Sequence, residues 1–189
     1  AFTDISRKLL IQSSLDVEQM VRNDIAKVIA LEIDRAALYG TGSSNEPLGL
    51  HNTSGIGTES ITANNPTFAQ VVNMESDVAA ANALMGNLAY ITGATIRGAM
   101  KVKAKDSGSG LFLWDGNNTV NGYNAYMSNQ VEAGDIWFGN WSDCIIGYWS
   151  SLDLLVDPYT HSTSGTIRIT ALQDVDVAFR HAASFSLGA

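Results

Sequence analysis

The chain has 189 residues, 46% of them hydrophobic and only 16% charged, a balance that supplies a sizeable core and excludes an intrinsically disordered protein. Nineteen acidic residues against eleven lysines and arginines give a formal net charge of −8, which excludes a broadly basic nucleic-acid-binding surface, because phosphate contacts are made mainly by Lys and Arg. A single cysteine, Cys144, excludes an internal disulfide framework; no stretch approaches the roughly 20 apolar residues of a membrane-spanning helix, and no signal-peptide pattern opens the chain.

Val17, Met20, Val21, Ile25, Val28, Ile29, Ile33, Ala36 and Ala37 recur at the spacing of one helical face. They predict a helix from about Leu15 to Tyr39, roughly 36 Å long at 1.5 Å per residue. Ser14 is its expected N-cap, Asp16 sits where the helix dipole favours an anion, and Glu18 to Arg22 is a favourably oriented i,i+4 pair. The helix runs into Leu38-Tyr39-Gly40-Thr41-Gly42-Ser43-Ser44-Asn45-Glu46-Pro47-Leu48-Gly49-Leu50, a stretch dense in turn residues. Gly40 falls just past the helix end, where a left-handed backbone is common, and Gly42, Pro47 and Gly49 keep the following chain irregular. A phosphate-binding loop needs its glycines before a helix; here they follow one, and position 45 is Asn where a dinucleotide fingerprint has its third glycine.

Residues 49–65 are polar, anchored by Leu50, Ile56 and Ile61. Pro66 then takes the first position of a second amphipathic helix carrying Phe68, Val71, Val72, Val78, Ala79 and Leu84 and ending near Met85-Gly86. Leu88 to Thr92 reads as a short buried strand, Thr95 caps a third helix through about Lys103, and residues 105–110 form a loop. Short β-prone runs follow at Leu111–Trp114, Tyr123–Met127, Asp135–Phe138, Cys144–Trp149 and Leu152–Val156, and two strands, Thr166–Thr170 and Val175–Arg180, finish the chain. Helices first and strands afterwards predict an α+β protein.

Chemistry-bearing residues are sparse. His51, His161 and His181 stand far apart with no His-x-x-x-His or Cys-x-x-Cys partner, so no metal site is expected. Cys144 beside Ile145 and Ile146 reads as a buried, inert thiol. Ser107-Gly108-Ser109-Gly110 lacks the first glycine of a nucleophile elbow and precedes a strand. Asp153 and Asp157 do not read as catalytic carboxylates, and Asp174 and Asp176 alternate with Val175 and Val177 as a half-exposed strand does. Trp114, Trp137, Trp141 and Trp149 suit buried packing or subunit contacts; three coplanar, solvent-facing tryptophans would instead indicate a glycan-binding module.

Ile5-Ser6-Arg7-Lys8-Leu9-Leu10-Ile11-Gln12-Ser13, the long helix and the Gly-Thr-Gly-Ser-x-x-Glu-Pro-x-Gly turn resemble the major capsid protein of tailed double-stranded DNA bacteriophages, whose fold is called the Hong Kong 97 type. The resemblance continues through Gly122–Ser128, Asp135–Trp141, Arg168–Thr170 and Asp174–Phe179, so it covers nearly the whole chain. It implies a peripheral lobe made of residues 1–60 and 161–189, holding a spine helix at about 15–39, and an axial lobe of residues 61–160. It further implies a non-enzymatic subunit, without cofactor, that self-assembles into pentamers and hexamers of an icosahedral shell. That shell would enclose double-stranded DNA without specific binding, in a virion assembled in the bacterial host cytoplasm. Scaffold, protease and portal are the other head proteins it would meet. In the family an N-terminal arm and an extended loop precede these motifs, and both are expected to lie outside this sequence. An encapsulin-like nanocompartment shares the fold and is the nearer alternative.

Overall fold

The computed structural model describes residues 1–13, 17–108 and 110–189. Ser14, Leu15 and Asp16, which carry the expected cap, start and dipole anion of the long helix, and Ser109 lie outside the described residues. In chain order the elements are β1 (Phe2–Ser6), α1 (Arg7–Gln12), α2 (Val17–Tyr39), β2 (Gly57–Glu59), α3 (Phe68–Ala80), β3 (Leu88–Thr92), α4 (Ala94–Val102), β4 (Thr119–Val120) and β5 (Tyr123–Met127). β6 (Ile136–Asn140), β7 (Cys144–Tyr148), β8 (Asp153–Asp157), β9 (Thr166–Leu172), β10 (Val175–Phe179) and β11 (Phe185–Gly188) follow. This is the α+β arrangement expected.

The strands form three sheets, ordered β2-β11-β6-β3-β5-β4, β1-β9-β8 and β10-β7. In the six-stranded sheet β3 and β5 run parallel, joined by a crossover that contains α4, while β6 is antiparallel to both β3 and β11. One face of that sheet is covered by α3 and α4, through Val71, Met74, Val78, Ile96 and Met100 against Tyr90, Phe138 and Trp114. The other face packs Trp137 and Phe185 against Leu38, Tyr39 and Leu50. Both faces are apolar, which explains why β6 is buried along its whole length.

α2 belongs to two cores at once. Its first half buries Val17 and Ile25 against Ile5, Ile169 and Ala171 of the three-stranded sheet, and its last turn enters the six-stranded sheet. At 23 residues it is roughly 35 Å long. The expected Glu18–Arg22 pair is present at 2.6 Å. The single apolar face is not uniformly covered, however. Met20 and Val28 are exposed, pointing away from the residues that Val17 and Ile25 bury against.

Several sequence expectations are corrected locally. α3 starts at Phe68, not Pro66: Thr67 is the N-cap, its hydroxyl accepting from Gln70 N while the Gln70 side chain accepts from Thr67 N, a full capping box. It ends at Ala80, five residues before Met85, because Asn82 takes a left-handed backbone (φ 55°). Gly93, not Thr95, is the cap residue of α4. Leu111–Trp114 is bridged singly, Phe112 to Ala104 and Trp114 to Val120, rather than forming a strand. β6 starts one residue and ends two residues later than expected. β1, α1, β2 and β4 are elements beyond those expected, and two strands do not finish the chain: β11 enters between β2 and β6. β8 pairs with β9, and β6 with β11, so strand pairings cross between the two expected lobe ranges.

Candidate assembly site around the turn after α2

Gly40, Gly42, Pro47 and Gly49 come together in one compact loop. Gly40 N donates to Ala36 O at 2.9 Å, continuing the helical ladder one residue further. Gly49 N then donates to Gly40 O at 2.9 Å, and Gly42 N to Pro47 O at 3.2 Å, so the chain folds back onto its own helix exit. Asn52 Nδ2 donates to the Gly40 carbonyl at 2.8 Å. The left-handed backbone expected at Gly40 lies elsewhere, at Gly42 (φ 68°), Ser44 (φ 56°) and Asn45 (φ 64°). Gly40 is required for a different reason: a Cβ there would collide with the carbonyls of Pro47 and Ala36, and one on Gly49 with the amides of Gly40 and Tyr39.

Glu46 fastens the loop to α2. One carboxylate oxygen accepts from Arg35 in a very short ion pair, and the other from Thr41 N (3.1 Å) and Thr41 Oγ1 (2.8 Å). Arg35 also reaches Glu32 at 2.5 Å. The Arg35 guanidinium and the two Thr41 donors hold the Glu46 carboxyl at a pKa of about 2. Tyr39 fixes the loop from the other side. Its hydroxyl donates to Asp135 Oδ2 at 2.7 Å and accepts from Glu132 N at 3.0 Å and Trp137 Nε1 at 3.2 Å. Burial raises the pKa of Tyr39 and of Asp135; the bond from Tyr39 offsets part of the effect on Asp135. None of these partners was legible in sequence except Glu46, which the turn motif contains.

Beside the loop lies an open groove of about 940 Å³, floored by Val28, Ile29, Ile33 and Ala36 of α2 and walled by residues 43–47 and 171–173. Val28 (57%) and Leu31 (50%) stay exposed along it. An apolar, half-open groove of this kind can bury a chain segment but offers no convergent catalytic groups.

The remaining candidate residues do not assemble into a reactive centre. Among the described residues no cluster of His, Cys, Asp and Glu can hold a metal ion. His181 Nδ1 contacts Ser184 Oγ at 2.9 Å, His51 packs on Tyr39 with ring centroids 5.5 Å apart, and His161 lies beyond β8. Cys144 is half-buried and burial raises its pKa, as an inert thiol requires. Asp174 and Asp176 are exposed while Val177 is buried, matching the alternation read from the sequence. Trp114 and Trp137 are buried, Trp141 is half-buried, and Trp149 alone is open at 72%. The coplanar exposed tryptophans of a glycan-binding module are therefore absent, and that reading is overturned.

Among known proteins, the chain is 40% identical over 185 residues to the major capsid protein of Halomonas phage phiHAP-1, a match covering 97% of this chain and 30% of that protein. It thus spans less than a third of that relative's length. Its fold is similar to the capsid of the native GTA particle (TM-score 0.78, 20% identity), covering all of this chain and 70% of that one. A virus-like particle from Pyrococcus furiosus (TM-score 0.72, 8% identity, 100% and 75% covered) and the capsid of Myoviridae phage XM1 (TM-score 0.71, 13% identity, 99% and 70% covered) have the same architecture. The fold is that of the Hong Kong 97-type capsid proteins. Residues 1–189 match the description "Phage capsid family" from end to end, and the chain belongs to that family.

Proposed function

We propose that this chain is the shell-forming part of a phage or prophage major capsid protein, which self-associates into pentamers and hexamers of an icosahedral head around double-stranded DNA. The observation that carries the reading is the 40% identity to a phage major capsid protein across 97% of the chain. The same relationship disfavours an encapsulin-like compartment. Exposed Met20, Val28 and Leu31 on a helix that otherwise spans two cores support a surface completed by neighbouring copies. With a net charge of −8 the shell would contain DNA rather than grip it. We assign the axial role to the six-stranded sheet with α3 and α4, and the peripheral role to β1-β9-β8 with the first half of α2, by sheet membership rather than by contiguous ranges. Function then lies in surfaces, with no enzymatic step, in a virion built in the host cytoplasm with scaffold, protease and portal as further partners.

Electron microscopy of particles purified after expressing the complete reading frame that contains this chain tests the proposal. Uniform closed shells that package nucleic acid are expected. Shells filled with a protein cargo would turn the reading to a compartment, and dispersed monomers at high concentration would overturn shell formation.

A further inference from the structure

Opposite charges are segregated on this molecule. Four of the eleven cations, Arg97, Lys101, Lys103 and Lys105, fall in one segment, and no lysine or arginine occurs between Lys105 and Arg168. Arg22, Lys27, Arg35 and Arg168 are all consumed by internal ion pairs, whereas among the described residues none of the four in the 97–105 segment has one. Val102 (77% exposed), Leu111 and Phe112 stand beside these lysines, giving an apolar prong with a basic rim.

The complementary surface is the β7–β10 ribbon. On its outer face Ile145 pairs with Ala178 and Gly147 with Asp176, and all but Gly147 are exposed. Gly147 leaves room for the Trp149 ring, which lies across it; a Cβ there would sit 3.3 Å from the ring. At the foot of Trp149, whose amide donates to Asp174 O at 3.2 Å, a notch of about 460 Å³ is lined by Asp153, Asp174 and Gln173. Asp153, Asp174 and Asp176 are exposed and, among the described residues, in no ion pair. An apolar centre is thus rimmed by acid here and by base on the prong.

The two surfaces lie at separate places on the molecule. The prong packs beside β4, at one edge of the six-stranded sheet, through the Trp114–Val120 bridge. The ribbon leaves the sheet from β6 and re-enters it at β11, toward the opposite edge. Complementary patches that do not face each other within a chain can meet only between copies, and head to tail, which generates a ring or a chain of subunits.

We propose that the basic prong of one copy, Lys101, Lys103 and Lys105 around Phe112, docks on the acidic ribbon of a second copy, with Asp153, Asp174 and Asp176 around Trp149, as a heterologous subunit contact. This inference rests on the shell-forming reading above and names the surfaces by which it operates. Rim charges set register and partner choice, and the contact weakens as salt rises.

The test uses the complete reading frame containing this chain. One variant carries Lys101→Glu, Lys103→Glu and Lys105→Glu; a second carries Asp153→Lys, Asp174→Lys and Asp176→Lys; a third combines all six. Each of the first two is expected to lower shell yield about tenfold, because a mispaired rim is repeated at every contact, and the six-fold variant to restore it. Carbodiimide cross-linking of unsubstituted shells made from two isotope-labelled pools is expected to join lysines 101–105 of one copy to the ribbon carboxylates of another, a readout independent of variant folding. Unchanged shell yield in the triple variants, or shells without those inter-copy cross-links, overturns the contact and leaves the capsid reading standing. Failure of the unsubstituted protein to form shells overturns both.

Discussion

The amide of Gly49 donates to the carbonyl of Gly40 at 2.9 Å, and neither residue has space for a Cβ: one on Gly40 would meet the Pro47 and Ala36 carbonyls, and one on Gly49 the amides of Gly40 and Tyr39. The turn after the long helix is therefore a backbone-on-backbone contact, and substitution meets peptide groups that cannot rotate away.

Gly40→Ala and Gly49→Ala should each destabilise the chain by about 1–3 kcal/mol or more, the range for overpacking against an unyielding wall. Gly42→Ala meets chiefly the flexible Leu48 side chain and a left-handed φ, so its cost should be nearer about 1–2 kcal/mol. Thermal melts of the three variants check the ranking; equal losses would show that conformation, not contact, governs the turn.

Glu46→Gln should reveal an acid-side stabilisation. The folded carboxyl titrates at about 2 against an ordinary 4.5, so the unfolded chain binds more protons between these values. The contribution is complete above pH 4.5 and is lost as pH falls through about 2. The Tm gap between wild type and variant should close over that window and narrow with added salt, since the pair is partly open to solvent. A gap independent of pH would remove the Arg35–Glu46 clamp from the account.

Asp135→Asn should behave in the opposite sense. Burial raises this carboxyl above its ordinary 3.8, so the folded chain holds the proton longer and wild-type stability falls as pH rises through the folded value. Relative to wild type the variant should fare worse at pH 3.5 than at pH 7. Parallel Tm curves across that range would contradict it.

Tyr39→Phe deletes one donor and one acceptor atom shared by three partners, leaving Glu132 N, Trp137 Nε1 and Asp135 short of a bond. A loss of about 1–3 kcal/mol is expected, measurable as a Tm fall of roughly 2–4 °C per kcal/mol.

Thr67→Ala should cost about 1 kcal/mol by removing the α3 capping box, and Thr67→Ser should retain most of it. Chemical denaturation of both variants decides whether Thr67 or Pro66 governs the start of α3.

Much of the secondary structure was legible because it depends on local pattern. The 3.6-residue period marked α2 to its last residue, Tyr39, and the apolar runs 88–92 and 123–127 marked β3 and β5 with correct ends. The Thr67-x-x-Gln70 box is legible in the sequence, and it rather than Pro66 sets the start of α3. β11 was illegible: Phe-Ser-Leu-Gly is too short and too small to announce a strand, and it exists because β2 and β6 leave a slot between them.

By itself the sequence determined the α+β class, the long helix, the turn that ends it, and the family, since each rests on residue order and short-range spacing. Tertiary structure alone decided why Gly40 must be glycine, which hydroxyl and guanidinium hold the turn, which of four tryptophans faces solvent, and how Asp153 comes to line one notch with Asp174. Those properties depend on which distant segments share a sheet, and close approach between backbones leaves no trace in the pattern of side chains along the chain.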